Sequence, residues 1–251
     1  MPHTLSEEAF LRNYDPAIYR RPNCTVDTVI FTVINSELSV LINKRQAYPF
    51  KGCWALVGGF VDLDQDKNLE DTARRKLFEK TAVKTPYLEQ YATIGNAWRD
   101  PRGWSITTVY FALIAAGELE LGEPKEAWPT RWAKIEKAGI GENLAFDHDL
   151  LLAGCLKRLR DKAQYTSLPI HLLNGSFSLG ELQKVYEIVL DKPLEGKSFR
   201  RRLLSAGILE PTGDFSYESK RPARLYRYRK EPGPHVFMRN LGGSSRGGKD
   251  I

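Results

Sequence analysis

Cysteine is scarce in this chain, with three in 251 residues. Cys24, Cys53 and Cys155 are odd in number and widely spaced, which excludes a disulfide framework and a paired-cysteine zinc site. Reduced thiols in a cytoplasmic setting are the expectation. Also absent is any apolar run near the roughly 18–20 residues that a membrane span needs, so no membrane partner is expected. The opening MPHTLSEEAF is polar and acidic, unlike a secretory signal. No internal repeat is visible. What remains is ordinary globular composition, 42% apolar and 27% charged, which excludes wholesale disorder.

Charge is unevenly placed. The net charge is +6, from 37 Lys+Arg and 31 Asp+Glu. Residues 164–251 hold 15 of those cations and 9 of the anions, so the first two-thirds is neutral and the last third carries the excess. A basic module appended to a neutral one points to a polyanionic partner.

The stretch Gly58 to Val83 organises the neutral part. A glycine pair follows a strand-like run, then comes an acidic loop, then a helix with Leu69, Ala73, Leu77 and Thr81 every fourth residue. This order, with Arg75-Lys76-Leu77-Phe78-Glu79-Lys80 inside the helix, resembles the Nudix box. Positions 76, 79 and 80 share one helix face, and in a working Nudix hydrolase all three are Glu and hold Mg²⁺. Here they read Lys76, Glu79 and Lys80. A hard divalent cation takes oxygen ligands, mostly carboxylates, and two ammonium groups repel it. The glutamate before the helix is replaced by Lys67, and the box glycine near its end by Ala82. The resemblance therefore implies a Nudix fold without its metal and without catalytic residues. The plain alternative is a solvated helix face carrying an Arg75–Glu79 pair.

Strand-like segments surround that helix. Thr25–Ile34 turns through Asn35-Ser36-Glu37 into Leu38–Asn43 as a hairpin, and Ala55–Phe60 leads to the glycine pair. Leu88–Trp98 and Ile106–Ala115 flank a turn, Arg99 to Trp104, marked by its Pro and Gly. Ala127–Trp132 is a further candidate strand. A short helix or arm is expected over Ser6–Tyr14, and a helix over Phe146–Lys162 with Asp147 as N-cap. These elements give an α+β class: a Nudix αβα sandwich over residues 1–163, a linker over 164–177, a winged helix-turn-helix domain over 178–240 and a disordered Gly/Ser tail over 241–251.

The basic module reads element by element. Ser178 and Glu181 form a capping box opening a helix whose Leu182, Val185, Tyr186 and Val189 share a face. After Pro193, Gly196-Lys197 lead into Ser198–Ala206, and Gly207 stops that second helix. At about 100° per residue, Phe199, Leu203 and Ala206 cluster and Arg201 lies opposite. Lys197, Ser198 and Ser205 flank Arg201, with Arg200 and Arg202 at the edges. Such a helix suits a major groove. A hairpin follows, with Lys220, Arg221 and Arg224 near its tip, where a wing meets the DNA backbone or minor groove. The alternative is a basic helix that is merely solvated.

The two halves together resemble the Nudix-related transcriptional regulators (NrtR). The matching stretches include YDPAIYRRP, TVDTVIFTV, KGCWALVGGFVD, RDPRGWSITTVYFAL, LAFDHDLLL, GKSFRRRLL and KRPARLYRY, over about residues 8–240. One departure is Val57, where related Nudix proteins often carry Pro. The resemblance implies a homodimeric repressor on a palindromic double-stranded operator, commonly near NAD-metabolism genes, released by ADP-ribose as effector and needing no cofactor. Some relatives instead govern pentose use. A pyrophosphate carries about two negative charges that Arg or Lys clamps directly. Arg45 leads the candidates for that ligand, with Lys76 and Lys80 as substitutes for the lost cation, Lys80 alternatively facing water. Arg75, Glu79 and Arg99 belong to the same set. Phe60, Trp98 or Trp104 would stack on adenine, or else only pack, and Asp100 would accept from a ribose hydroxyl or only brace its turn. The competing reading is an ADP-ribose or nucleoside-diphosphate hydrolase with an accessory nucleic-acid domain, its metal held by Asp62, Asp64 and Asp66.

Overall fold

The computed structural model describes residues 6–81, 87–116, 128–137, 139–217, 222–229 and 233–238. β1 (Asn23–Ile34) is the central strand of a seven-stranded mixed sheet. It runs parallel to β6 (Ser105–Leu113) and antiparallel to β2 (Glu37–Lys44) and β4 (Val57–Phe60). β3 (Trp54–Ala55) and β7 (Thr130–Lys134) extend the sheet beyond β2, and β5 (Tyr87–Asn96) extends it beyond β6.

Successive residues of a strand face opposite sides of its sheet, and both sides of β1 are covered. Val26 and Ile30 pack towards α2 (Leu69–Thr81), with its Ala73 and Leu77. Val29 and Phe31 pack on the other side, in the same core as Leu151, Leu152, Cys155 and Leu159 of α3 (His148–Ala163). A helix on each face of a mixed sheet is the expected αβα sandwich. The β1–β2 hairpin turns on Asn35 and Ser36, both left-handed with φ 51° and 64°, as a two-residue hairpin turn requires. β5 ends at Asn96, two residues before the predicted end. There the Asn96 side chain accepts the N–H groups of Trp98 and Arg99 at 3.0 and 2.7 Å and bends the chain away.

The basic module adds α4 (Leu179–Leu190), α5 (Gly196–Ser205) and a three-stranded sheet, β8 (Ser176–Ser178), β10 (Ala223–Tyr228) and β9 (Leu209–Ser216) in that order. The capping box is present: Ser178 accepts from the Glu181 N–H and Glu181 from the Ser178 N–H, at 3.1 and 2.7 Å. α5 ends before Gly207, which sits at φ 69°, a conformation that favours glycine. Residues 164–177 are not an open tether. Leu168, Ile170, Leu172 and Phe177 are buried in the cluster that also holds Val185 and Tyr186 of α4 and Phe111 of β6. The Tyr186 hydroxyl donates to the Thr166 carbonyl at 2.9 Å. Among the described residues no helix is long and apolar enough to cross a membrane.

His171 lies at the junction of the two modules. Its ring stacks on Tyr87 of β5 at 4.9 Å and meets Tyr228 of β10 edge-on at 5.7 Å. Its Nε2 is buried without a hydrogen-bond partner among the described residues. Burial lowers its pKa from 6.5 to about 4. The unfolded chain therefore takes up this proton first as pH falls. The associated stability is full above about pH 6.5 and is lost progressively towards pH 4. Chemical denaturation at pH 7 and 4.5 should show His171→Phe losing less stability on acidification than the unaltered chain, by on the order of 2 kcal/mol. Equal losses would place the acid sensitivity elsewhere.

Candidate ligand cleft and nucleic-acid interface

The glycine pair is dictated by close approach. A Cβ on Gly58 would collide with the Asp27 carboxylate and lie 2.6 Å from the Val26 carbonyl oxygen. A Cβ on Gly59 would lie 2.9 Å from the Lys76 side-chain carbons. β4 can therefore press against β1 only with glycine at 58, whereas at 59 the Lys76 side chain would have to move aside. Asp27 is buried beneath this contact. Its carboxylate accepts from the Thr107 hydroxyl at 2.8 Å and from Arg99 at 3.4 Å. Arg99 also grips Asp147 with two bonds, 3.1 and 3.0 Å. This corrects the expected role of Asp147, which makes no side-chain cap bond at the start of α3 because its carboxylate is engaged by Arg99. His148 completes the cluster: its Nδ1 accepts the Leu56 N–H at 3.0 Å, so its Nε2 faces Asp27 at 3.6 Å. Burial holds the His148 pKa below its ordinary value, outweighing the two nearby aspartates.

Above this base opens a cleft of ≈ 230 Å³. Of the ligand candidates, Arg45, Phe60, Lys80, Arg99 and Asp100 line it. Arg45 leaves the end of β2 and donates to the carbonyls of Pro49 and Ala47 at 2.7 and 3.4 Å. Its guanidinium lies 4.7 Å from the Phe146 ring centroid. Burial, and then the neighbouring Arg102 charge, lower its pKa. The protonated form is thus under-compensated, and an anion in the cleft would relieve that. Arg102 sits over Phe60 at 4.9 Å and Phe146 at 5.9 Å, but Asp100 already pairs with it bidentately, down to 2.7 Å. Burial pushes the Asp100 carboxyl up and the Arg102 contacts outweigh it, leaving the pKa low. Lys80 is buried, donating to the Gly58 carbonyl at 2.8 Å and standing 4.4 Å over the Trp128 ring. The water-facing alternative for Lys80 is overturned, because β4 and Trp128 close over its ammonium.

The remaining candidates lie elsewhere. Trp104 does not line the cleft; its ring lies where a Cβ on Gly95 would meet it at 3.0 Å. Arg75, Lys76 and Glu79 form a chain of ion pairs beside the cleft. Lys76 reaches Glu79 at 2.8 Å and Arg75 reaches it at 3.2 Å. Arg75 also binds Asp66 through two bonds of 2.7 and 2.6 Å. Those Arg75 bonds drive the Asp66 pKa far below the ordinary carboxylate range. Asp66 further accepts from Thr72 and the Asp62 N–H, and Asp62 from its own loop. Two of the three aspartates proposed for a metal in the hydrolase reading, Asp62 and Asp66, are therefore turned to loop bracing and to Arg75.

Sequence reading missed Asp27, Arg102, Trp128, Phe146 and His148 as cleft residues. Only Arg102, inside the Pro/Gly turn already singled out, carried a local signal. Phe146 has φ 59°, an uncommon backbone for an aromatic residue, and it is held there against Phe50 at 4.7 Å.

On α5 the predicted wheel holds. Phe199 and Leu203 are buried, while Lys197, Arg200, Arg201 and Ser205 are exposed and Ser198 and Arg202 are half-buried. Glu195 caps the helix, accepting the Lys197 and Ser198 N–H groups at 3.0 and 2.6 Å. Leu204, on the same outer face, is 48% exposed beside the arginines. Arg224 is exposed on β10. Lys220 and Arg221 lie outside the described residues.

Comparison with known proteins agrees with this architecture. Residues 25–154 match the NUDIX domain family and residues 169–228 the NrtR DNA-binding winged helix domain. The chain is 47% identical over 236 residues, 94% of each protein, to the ADPR responsive transcriptional repressor NtrR of Acinetobacter baylyi. The crystal structure of Shewanella oneidensis NrtR superposes with a TM-score of 0.80 at 42% identity, covering 87% of this chain and 99% of that one. The NUDIX domain of the same Shewanella protein, solved with ADP ribose, covers 61% of this chain and 99% of its own at 41% identity and a TM-score of 0.57. Shewanella NrtR has also been solved with a 27mer DNA, with a TM-score of 0.79 and the same identity and coverage. The chain belongs to the NrtR family, a degenerate Nudix domain followed by a winged helix DNA-binding domain.

Proposed function

We propose that this chain is a transcriptional repressor whose homodimer holds a two-fold-symmetric operator through α5 and releases it when ADP-ribose fills the cleft. The named relatives supply the ligand and the partner: one is ADPR responsive, another was solved with ADP ribose and with DNA. The observation that carries the reading is α3. Its first residue, His148, lines the cleft. Near its other end, Arg160 donates to the Val189 carbonyl of α4 at 3.2 Å and to the Lys137 carbonyl at 2.9 Å. A 16-residue helix, about 24 Å long, thus joins the ligand cleft to the first helix of the DNA-binding module. Residues 164–177 act as a docked hinge between domains assigned to 1–163 and 178–240. NAD-metabolism genes are the proposed regulon.

Arg45, Phe60 and Lys80 are assigned to the ligand, with Arg45 and Lys80 on its pyrophosphate and Phe60 beside its base. No metal is needed, because these cations occupy the place of one. Arg99 and Asp100 shape the cleft through Asp27, Asp147 and Arg102. Arg45→Ala should weaken ADP-ribose binding by about 10- to 100-fold, the worth of a hydrogen bond to a charged group. Titration calorimetry measures this, and an unchanged affinity would remove Arg45 from the ligand set.

Lys197, Ser198, Arg200, Arg201, Arg202 and Ser205 are assigned to the major groove, and Lys220, Arg221 and Arg224 to the flanking backbone. Arg201→Ala should cost about 1–3 kcal/mol of operator discrimination while ADP-ribose binding stays intact. A gel shift with unchanged operator affinity would move the recognition surface elsewhere.

A ligand shifts an equilibrium only through its different affinity for the two states, and the coupling is reciprocal. ADP-ribose should therefore bind operator-bound protein more weakly than free protein, by the factor by which it weakens DNA binding. Calorimetric titrations of both forms decide this, and equal affinities would sink the proposed release mechanism.

A further inference from the structure

The amino-terminal arm is built to be ordered, yet among the described residues none of its helical turns is buried against the rest of the chain. α1 (Glu7–Asn13) is capped by Ser6, which accepts the Ala9 N–H at 3.3 Å, and the 3-10 turn Pro16–Ile18 by Asp15, which accepts the Ala17 N–H at 2.7 Å. Neither element buries a residue. Seven residues fall well short of the about 12–15 at which an isolated helix becomes even marginal in water. Phe10, Leu11, Tyr14, Ile18 and Tyr19 are 54, 63, 43, 68 and 61% exposed. Their aromatic rings already gather, Phe10 to Tyr14 at 5.6 Å and Tyr14 to Tyr19 at 6.5 Å.

A receiving surface exists on the Nudix domain. Phe50, Ile94, Trp98, Pro101 and Leu150 line an open hollow of ≈ 350 Å³, backed by Phe146 and Arg99. Trp98 and Leu150 on its rim are 84 and 75% exposed. We propose that in the homodimer each arm packs into this hollow on the partner copy. The proposal rests on the homodimer reading above.

Three observations favour a second copy as the occupant. The first is area. Five half-exposed large side chains offer roughly 500 Å² of apolar surface per arm, near the upper end of what a monomer leaves open. The two arms together offer about 1,000 Å² of it, the area that a specific interface has to clear. The second is placement. The Asn23 N–H bonds to the Trp104 carbonyl at 3.0 Å, so the arm leaves the sheet at the end where the 97–104 turn carries Trp98. A two-fold axis near that end brings each hollow within reach of the partner's arm, whose residues 14–22 span up to about 30 Å. The third is the DNA-binding module. A reader of a two-fold operator needs a two-fold dimer, and a reciprocal arm exchange is isologous. Because the hollow and the ligand cleft share Phe146 and Arg99, the arm would press on the wall that the ligand meets from its other side.

Sedimentation velocity across a concentration series tests this with the full chain, Phe10→Glu/Tyr19→Glu, Leu150→Glu and a chain lacking residues 1–21. The full chain should be dimeric, and each altered chain should show a dimer dissociation constant at least about tenfold higher. Far-ultraviolet circular dichroism and a cooperative thermal transition verify that each altered chain is folded. An equimolar mixture of Phe10→Glu/Tyr19→Glu with Leu150→Glu should associate more tightly than either alone, since the mixed pair retains one intact arm–hollow contact. Any altered chain that dimerises like the original, or a mixture that gains nothing, overturns the proposal. A monomeric full chain overturns the homodimer reading and this proposal with it.

Discussion

A single buried guanidinium ties the Nudix domain together. Arg99 lies between Asp147 and Asp27, and so joins the turn after β5 to the start of α3 and to the central strand. Burying three charges is costly, and the arrangement holds because each has its partners: Asp27 accepts from Thr107 as well, and His148 faces it. Removing Arg99 would leave both carboxylates without their counter-charge. The glycine pair follows from the same cluster, since a side chain at Gly58 would occupy the place of the Asp27 carboxylate. The floor of the ligand cleft is therefore fixed by electrostatics beneath it rather than by the residues that face the ligand.

The relict metal face illustrates how a site changes use. Two lysines in place of carboxylates would leave repelling charges if nothing else altered. Lys76 instead pairs with Glu79, and Glu79 with Arg75. Burial raises the Glu79 pKa, but Lys76 and Arg75 outweigh it and keep the carboxylate ionised. Lys80 turns to the Gly58 carbonyl and the Trp128 ring at the edge of the cleft. Lys80 and Arg45 thus both place positive charge on the wall of the cleft.

The two modules share one core, so a change at the cleft meets packed side chains all the way to α4. Cys155, Leu156 and Leu159 of α3 touch the same cluster as Leu168, Ile170 and Tyr186. Packed interiors have few continuous deformations, which favours a shift of the whole DNA-binding module over a gradual local change.

Much of this was legible in one dimension. Alternation in Thr25–Ile34, the fourfold spacing of α2, the capping box at Ser178 and the Arg-rich wheel of α5 all report local periodicity, and local periodicity is what a linear sequence preserves. The loss of two box glutamates was equally plain, because three helix positions define one face. What the chain order could not give was which distant charges meet. Asp27, Arg99 and Asp147 are separated by 72 and 48 residues, and a cap role for Asp147 was as good a local reading as its true one. For Trp104 the sequence left stacking and packing both open, and its ring lies against Gly95. The sequence determined the elements and their charge; only the tertiary structure decided which carboxylate each guanidinium would take, because pairing depends on desolvation and distance that exist only once the sheet has formed.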